Sequence, residues 1–119
     1  MKKTLVIGVS QIPSRYANQA VTMLKRHGYP TVALGRHAIN FAGLEVNTGQ
    51  PAFSDIHTVT LYLNPLAQQA YYDYILSLKP KRIIFNPGTE NEELENLATE
   101  QGIEVLEACT LVLLSTAQY

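Results

Sequence analysis

One cysteine, no tryptophan and no long apolar run are the first constraints on this 119-residue chain. The lone Cys109 cannot close an internal disulfide, so the fold must be held by its core and its hydrogen bonds. No stretch approaches the roughly 20 apolar residues of a membrane span. A net charge of −1 gives no global attraction to nucleic acid or to an anionic membrane, and any basic site must be local. The opening Met-Lys-Lys leads into an apolar run shorter than a signal-peptide core and without a small-residue cleavage site. With the single cysteine, this sets the expectation of a reducing, cytoplasmic location.

Chemistry that needs clustered ligands or an activated nucleophile is also missing. His27, His37 and His57 share no metal-ligand spacing with Cys109 or with a carboxylate pair, so no metal site is expected. There is no nucleophile-elbow pattern, and Cys109 has no sequence-local activator, which leaves it as a packed thiol and assigns no catalytic residue. Glu90, Glu92, Glu93 and Glu95 crowd the start of a helix, where negative charge is favoured without any catalytic role.

What is present is a repeating grammar in a chain that is 46% apolar and 16% charged, the balance of one globular domain over residues 1–119. Thr4 to Val9 is a continuous apolar run of the kind covered on both faces in a parallel sheet. Ala17, Ala20, Val21 and Leu24 recur at helical spacing, which predicts a helix over 14–27 with Ser14 as its cap and His27-Gly28 as its stop. Residues 31–34 complete a strand–helix–strand unit. Residues 35–56 lose the pattern and read as a loop-rich excursion with at most short strands, which should pack on the sheet or line a site. A strand over 58–63 follows. Next comes a helix opened by Asn64-Pro65, its buried stripe running from Ala67 through Tyr71, Tyr74 and Ile75 to Leu78. Its neighbouring tyrosines 71, 72 and 74 cannot all face inward, leaving one or two exposed rings or a dimer face. Strand 82–85 leads to a third helix with Thr89 and Glu92 as a capping box, then to strand 103–106 and an apolar closing segment, 108–114. The expectation is an α/β, doubly wound sheet of about five mainly parallel strands with helices on both faces.

In such a sheet, ligands bind where the strands end, near the point at which strand order reverses. The loops reaching that edge are Gly8 to Arg15, Gly35-Arg36-His37, Asn64-Pro65 and Asn86-Pro87-Gly88-Thr89. The first keeps only one glycine of a dinucleotide fingerprint, since Ser10 and Pro13 stand where glycines would be. It still suits an anion: Gly8 permits close backbone approach, Ser10 offers a hydroxyl, and Arg15 adds charge beside the amides of a helix start. A nicotinamide site usually has a carboxylate after its second strand, whereas Arg36 and His37 stand here and fit a phosphate. Arg15 and Arg36 therefore either meet phosphates or extend into solvent.

Taken in order, Gly8-Val9-Ser10 with Pro13 and Arg15, His27-Gly28-Tyr29, Ala42-Gly43-Leu44, Pro51 to Ile56, Asn86 to Glu93 and Gly102-Ile103-Glu104-Val105 with Cys109-Thr110-Leu111 resemble a known family. It is that of the small stand-alone CoA-binding proteins, similar to the N-terminal CoA-binding domain of the succinyl-CoA synthetase α subunit. The resemblance implies a Rossmann-like fold with CoA or an acyl-CoA across the strand ends. Ser10, Gln11, Ile12, Pro13 and Arg15 would hold phosphates, with further contacts at Arg36 or His37, Asn64-Pro65 and Asn86-Pro87-Gly88. Many relatives have Asn-Pro where this chain has Gly35-Arg36-His37. The synthetase's phosphorylated histidine belongs to a second domain that a chain of this length lacks, so ligase activity does not carry over. The leading expectation is non-catalytic binding of CoA, as a sensor or accessory module with a protein partner or a second copy. The competing expectations are an NADP or other phosphorylated-nucleotide binder, a subunit of an acyl-CoA enzyme, and a scaffold whose pocket is vestigial.

Overall fold

The apolar run that starts at Thr4 becomes the middle of a seven-stranded sheet in the computed structural model, which describes residues 1–119. In chain order the elements are β1 (Thr4–Ile7), α1 (Tyr16–Arg26), β2 (Thr31–Leu34), β3 (Ile39–Phe41), β4 (Leu44–Asn47), β5 (Thr58–Leu61), α2 (Pro65–Gln68), a 3₁₀ turn (Gln69–Tyr71), α3 (Tyr72–Ser77), β6 (Arg82–Phe85), α4 (Glu92–Glu100), β7 (Glu104–Glu107) and α5 (Thr110–Ser115). The strand order is β3-β4-β2-β1-β5-β6-β7, and every neighbouring pair is parallel except β3 with β4. The chain leaves β1 for β2 on one side and later returns to β5 on the other. Strand order therefore reverses between β1 and β5, as in Rossmann-like sheets.

Alternation along the central strands divides the core between two faces. Leu5, Ile7, Val59, Leu61, Ile83 and Phe85 pack with Tyr74 and Ile75 of α3 and Leu94 and Ala98 of α4. Val6, Ala33 and Ile84 pack on the opposite side with Ala17, Val21 and Leu24 of α1 and Leu114 of α5. At the edge where the strands begin, Tyr119 closes the second layer, its ring 4.9 Å from that of Tyr29 and 4.3 Å from the Arg82 guanidinium.

Several expected boundaries shift for identifiable reasons. The sheet has seven strands rather than five, because the excursion 35–56 contains the β3–β4 hairpin, with β4 added in parallel to β2. β1 stops at Ile7 because Gly8 turns the backbone to φ +111°. Ser14 does not cap α1: the cap position falls at Arg15, which has extended backbone and makes no side-chain capping bond. The helix expected after Asn64 is two short helices joined by the 3₁₀ turn, with Asn64 accepting from the Ala67 N–H at 2.9 Å. The expected Thr89–Glu92 box is displaced to Asn91, which accepts from the Leu94 N–H (3.3 Å) while its own N–H donates to Glu95 Oε2 (3.1 Å). Thr89 instead turns back, donating from its hydroxyl to the Asn86 carbonyl at 2.8 Å. Of the three neighbouring tyrosines, Tyr74 is buried and donates to the Pro51 carbonyl at 2.7 Å, while Tyr71 and Tyr72 are half-buried.

Candidate functional site

The ends of β1, β2, β5 and β6 lie side by side, and the loops leaving them form two adjoining clefts. Two glycines make this approach possible. A Cβ on Gly8 would come within 3.1 Å of Tyr62 Cβ, and one on Gly35 would lie 2.0 Å from the Val9 carbonyl oxygen. The Leu34 carbonyl accepts from both the Gly8 N–H (2.9 Å) and the Val9 N–H (3.0 Å), which ties the first loop to the end of β2.

The first cleft has a volume of about 590 Å³, and its apolar lining includes Ile7, Val9, Leu34 and Leu63. Around these stand Gly8, Ser10, Gln11 and Ile12 from the first loop, Gly35, Arg36 and His37 from the second, and Tyr62, Asn64, Ala67 and Tyr71 beyond β5. The second cleft, about 450 Å³, is lined by Arg15, Tyr16 and Ala17 at the start of α1 and by Pro87, Gly88 and Thr89 after β6. Gly8, Ser10, Tyr62 and Asn64 belong to both. Each volume lies within the range of small-ligand sites. The combined lining carries Arg15, Arg36 and His37 and no carboxylate.

Local structure adds donors to these side chains. α1 begins beside the second cleft without a side-chain cap and without an acidic residue in its first turn. Its leading amides are therefore available to an anion. The first loop is anchored by Asn18, wholly buried on α1, which accepts from the Ser10 N–H (3.1 Å) and donates to the Ser10 carbonyl (2.8 Å). Ser10 Oγ accepts from the Ile12 N–H at 3.1 Å and shapes the turn. Tyr62 lines both clefts, but its hydroxyl is buried with no hydrogen-bond partner, beside Thr60 and Thr110, whose hydroxyls pair with each other at 2.7 Å. Burial pushes its pKa up to about 12.

Most residues expected at the strand ends line these clefts, and three do not. Pro13 and Pro65 shape their turns outside both linings. Asn86 is buried within the fold: its Nδ2 donates to Thr60 Oγ1 (2.6 Å) and to the Leu61 carbonyl (2.9 Å), and its Oδ1 accepts from the Thr110 N–H (2.8 Å). It joins β5, β6 and α5, holding the loop that carries Pro87 and Gly88. Thr89, at the end of the fourth expected loop, lines the second cleft, whereas Tyr62, Tyr16 and Tyr71 were not expected there. Tyr62 stood at the end of a strand-like run, the one signal that could have placed it at the edge. The buried Asn18 and Gln68 gave no signal, since polar residues at helical positions read as surface.

The CoA binding domain family matches residues 2–115 of this chain. No curated protein matches at a significant level. Among solved structures, the chain is similar to a protein described as uncharacterized, with 49% identity, a TM-score of 0.96, and coverage of 100% of this chain and 98% of that one. It is also similar to cell-free ID.343 from Thermus thermophilus, at 22% identity and TM-score 0.83 over 99% of this chain and 90% of that one. The dinucleotide-forming acetyl-coenzyme A synthetase 1 of Ca. Korarchaeum cryptofilum, solved with phosphate and ADP, matches at 21% identity and TM-score 0.68. That match covers 90% of this chain and 25% of the synthetase, and at such identity the likeness concerns the fold alone. With the family match running over nearly the whole of a Rossmann-like sheet, the chain belongs to the CoA binding domain family.

Proposed function

We propose that this protein binds CoA or an acyl-CoA across the two clefts as a non-catalytic module, serving as a sensor or as an accessory to an acyl-CoA enzyme. The observation that carries the reading is the charge of the lining: Arg15 and Arg36, with no carboxylate among the lining residues. CoA presents a pyrophosphate and a 3′-phosphate, which call for cations at more than one point. The uncapped start of α1 offers amides for one phosphate group. Apolar lining residues such as Leu63 and Tyr71 provide surface for the uncharged parts of the ligand. The binding reading is supported by what the lining supplies, which is cations, amides and apolar surface.

Titration calorimetry with CoA, acetyl-CoA and NADP tests this directly. NADP is the proper competitor because Arg36 follows β2, where a 2′-phosphate would be met. CoA should bind saturably and more tightly than NADP, with about 2.7 kcal/mol of added stability at a hundredfold excess over Kd. Arg15→Ala and Arg36→Ala should each weaken CoA by roughly tenfold at low salt, with the gap narrowing at high salt. A preference for NADP, or no binding of either CoA form at millimolar ligand, would sink the reading.

A further inference from the structure

Gln68, the last residue of α2, is wholly buried although it is polar. Its Nε2 donates to two backbone carbonyls, Leu63 and Thr89, each at 2.8 Å. Leu63 lines the first cleft and Thr89 the second. A single primary amide thus spans the loop after β5 and the loop after β6. Its remaining atom is also engaged, since Oε1 accepts from Asn91 Nδ2 at 2.8 Å. Asn91 Nδ2 donates further to the Tyr72 hydroxyl at 2.8 Å, and its Oδ1 caps α4. Thr89 is held from the other side, its N–H and hydroxyl both donating to the Asn86 carbonyl, at 2.9 and 2.8 Å.

We infer that Gln68 is a positioning residue: through its two N–H bonds it sets the separation of the two loops, and so prepares both clefts for one ligand that engages them together. This rests on the CoA reading above. The amide is planar, so its two N–H vectors diverge at a fixed angle and fix the two carbonyls relative to each other. Fixing them before binding removes an ordering cost from the binding step. Neither leucine nor glutamate can substitute, because each would leave two carbonyls without a buried donor, and glutamate would face them with negative charge.

Gln68→Met keeps the length of the side chain and removes both donors. In the free protein, amide hydrogen exchange should rise about tenfold or more at residues 67–68, whose N–H groups donate to Asn64, and at Thr89, whose N–H donates to the Asn86 carbonyl, while β1 and β5 stay protected. CoA affinity should fall by about tenfold, whereas ADP, which lacks the pantetheine arm and need not engage both loops, should change less than about threefold. Unchanged exchange at both loops, or equal loss of CoA and ADP, overturns the assignment. Should the wild-type protein bind no CoA, the functional reading falls by itself and the exchange measurement still decides the clamp. If Gln68→Met does not fold, Asn91→Asp keeps the α4 cap and deletes the donor to Gln68 Oε1. It should raise exchange at both loops, and a rise confined to the start of α4 overturns the proposal.

Discussion

At the scale of single residues, the site is built from close approaches that leave little latitude. Gly35 is the clearest case: a Cβ would lie 2.0 Å from a backbone oxygen, which cannot swing away as a side chain can. Gly35→Ala should therefore cost about 2 kcal/mol or more in denaturant unfolding, the scale of overpacking a tight contact. Stability within about 0.5 kcal/mol of wild type would mean that the ends of β1 and β2 part freely. Such a requirement is partly legible in sequence, because a glycine directly after a strand marks a turn. Its partner, the Val9 carbonyl, is not legible, since the contact depends on how two separate loops stack. Asn18 and Gln68 were invisible for the same reason: long-range carbonyls, not local periodicity, decide that these polar side chains turn inward.

At the scale of elements, helices and strands with strong periodicity were readable, and it was mainly the helix ends that shifted. Strands 31–34 and 82–85 fall where their apolar runs predict. The excursion 35–56 was expected to hold at most short strands; the bounds and pairing of β3 and β4 were not legible, because only Val46 is buried and no alternation stands out. At the start of α4, the register of the cap is set by Asn91 and Glu95 rather than Thr89 and Glu92, and this brings Glu95 against Glu107 of β7. Burial, then the hydrogen bond with Glu107, raise the Glu95 pKa, opposed by the Asn91 N–H bond. The folded state thus holds this proton more tightly than the unfolded one. Ionisation at neutral pH costs stability, and the cost disappears as pH falls through the folded pKa to below the unfolded value of 4.5. Glu95→Gln, which retains an acceptor for the Asn91 N–H, should raise Tm at pH 7 by the equivalent of roughly 0.5 kcal/mol, with the gain shrinking toward pH 4. A lower Tm, or a gain independent of pH, would show that the carboxylate acts only as a cap acceptor.

At the scale of the whole molecule, the sheet separates two edges of different character. The edge where strands end holds both large clefts, whereas the edge where they begin holds a smaller one, about 300 Å³, lined by Lys79, Pro80, Lys81, Gln101, Gly102 and Ile103. Both edges carry cations, so charge alone does not choose between them. The reversal of strand order does, because it opens the crevice between β1 and β5 at the first edge. That choice was legible from the order of strand-like and helix-like segments, even though two of the seven strands were not. Amide hydrogen exchange of the protein with and without saturating CoA tests it most directly. The account predicts protection at residues 8–15, 35–37, 62–64 and 87–89, and little change at 79–81 and 101–103. Protection concentrated at those lysines, or none at the loops after β1 and β5 despite saturable binding, would contradict it.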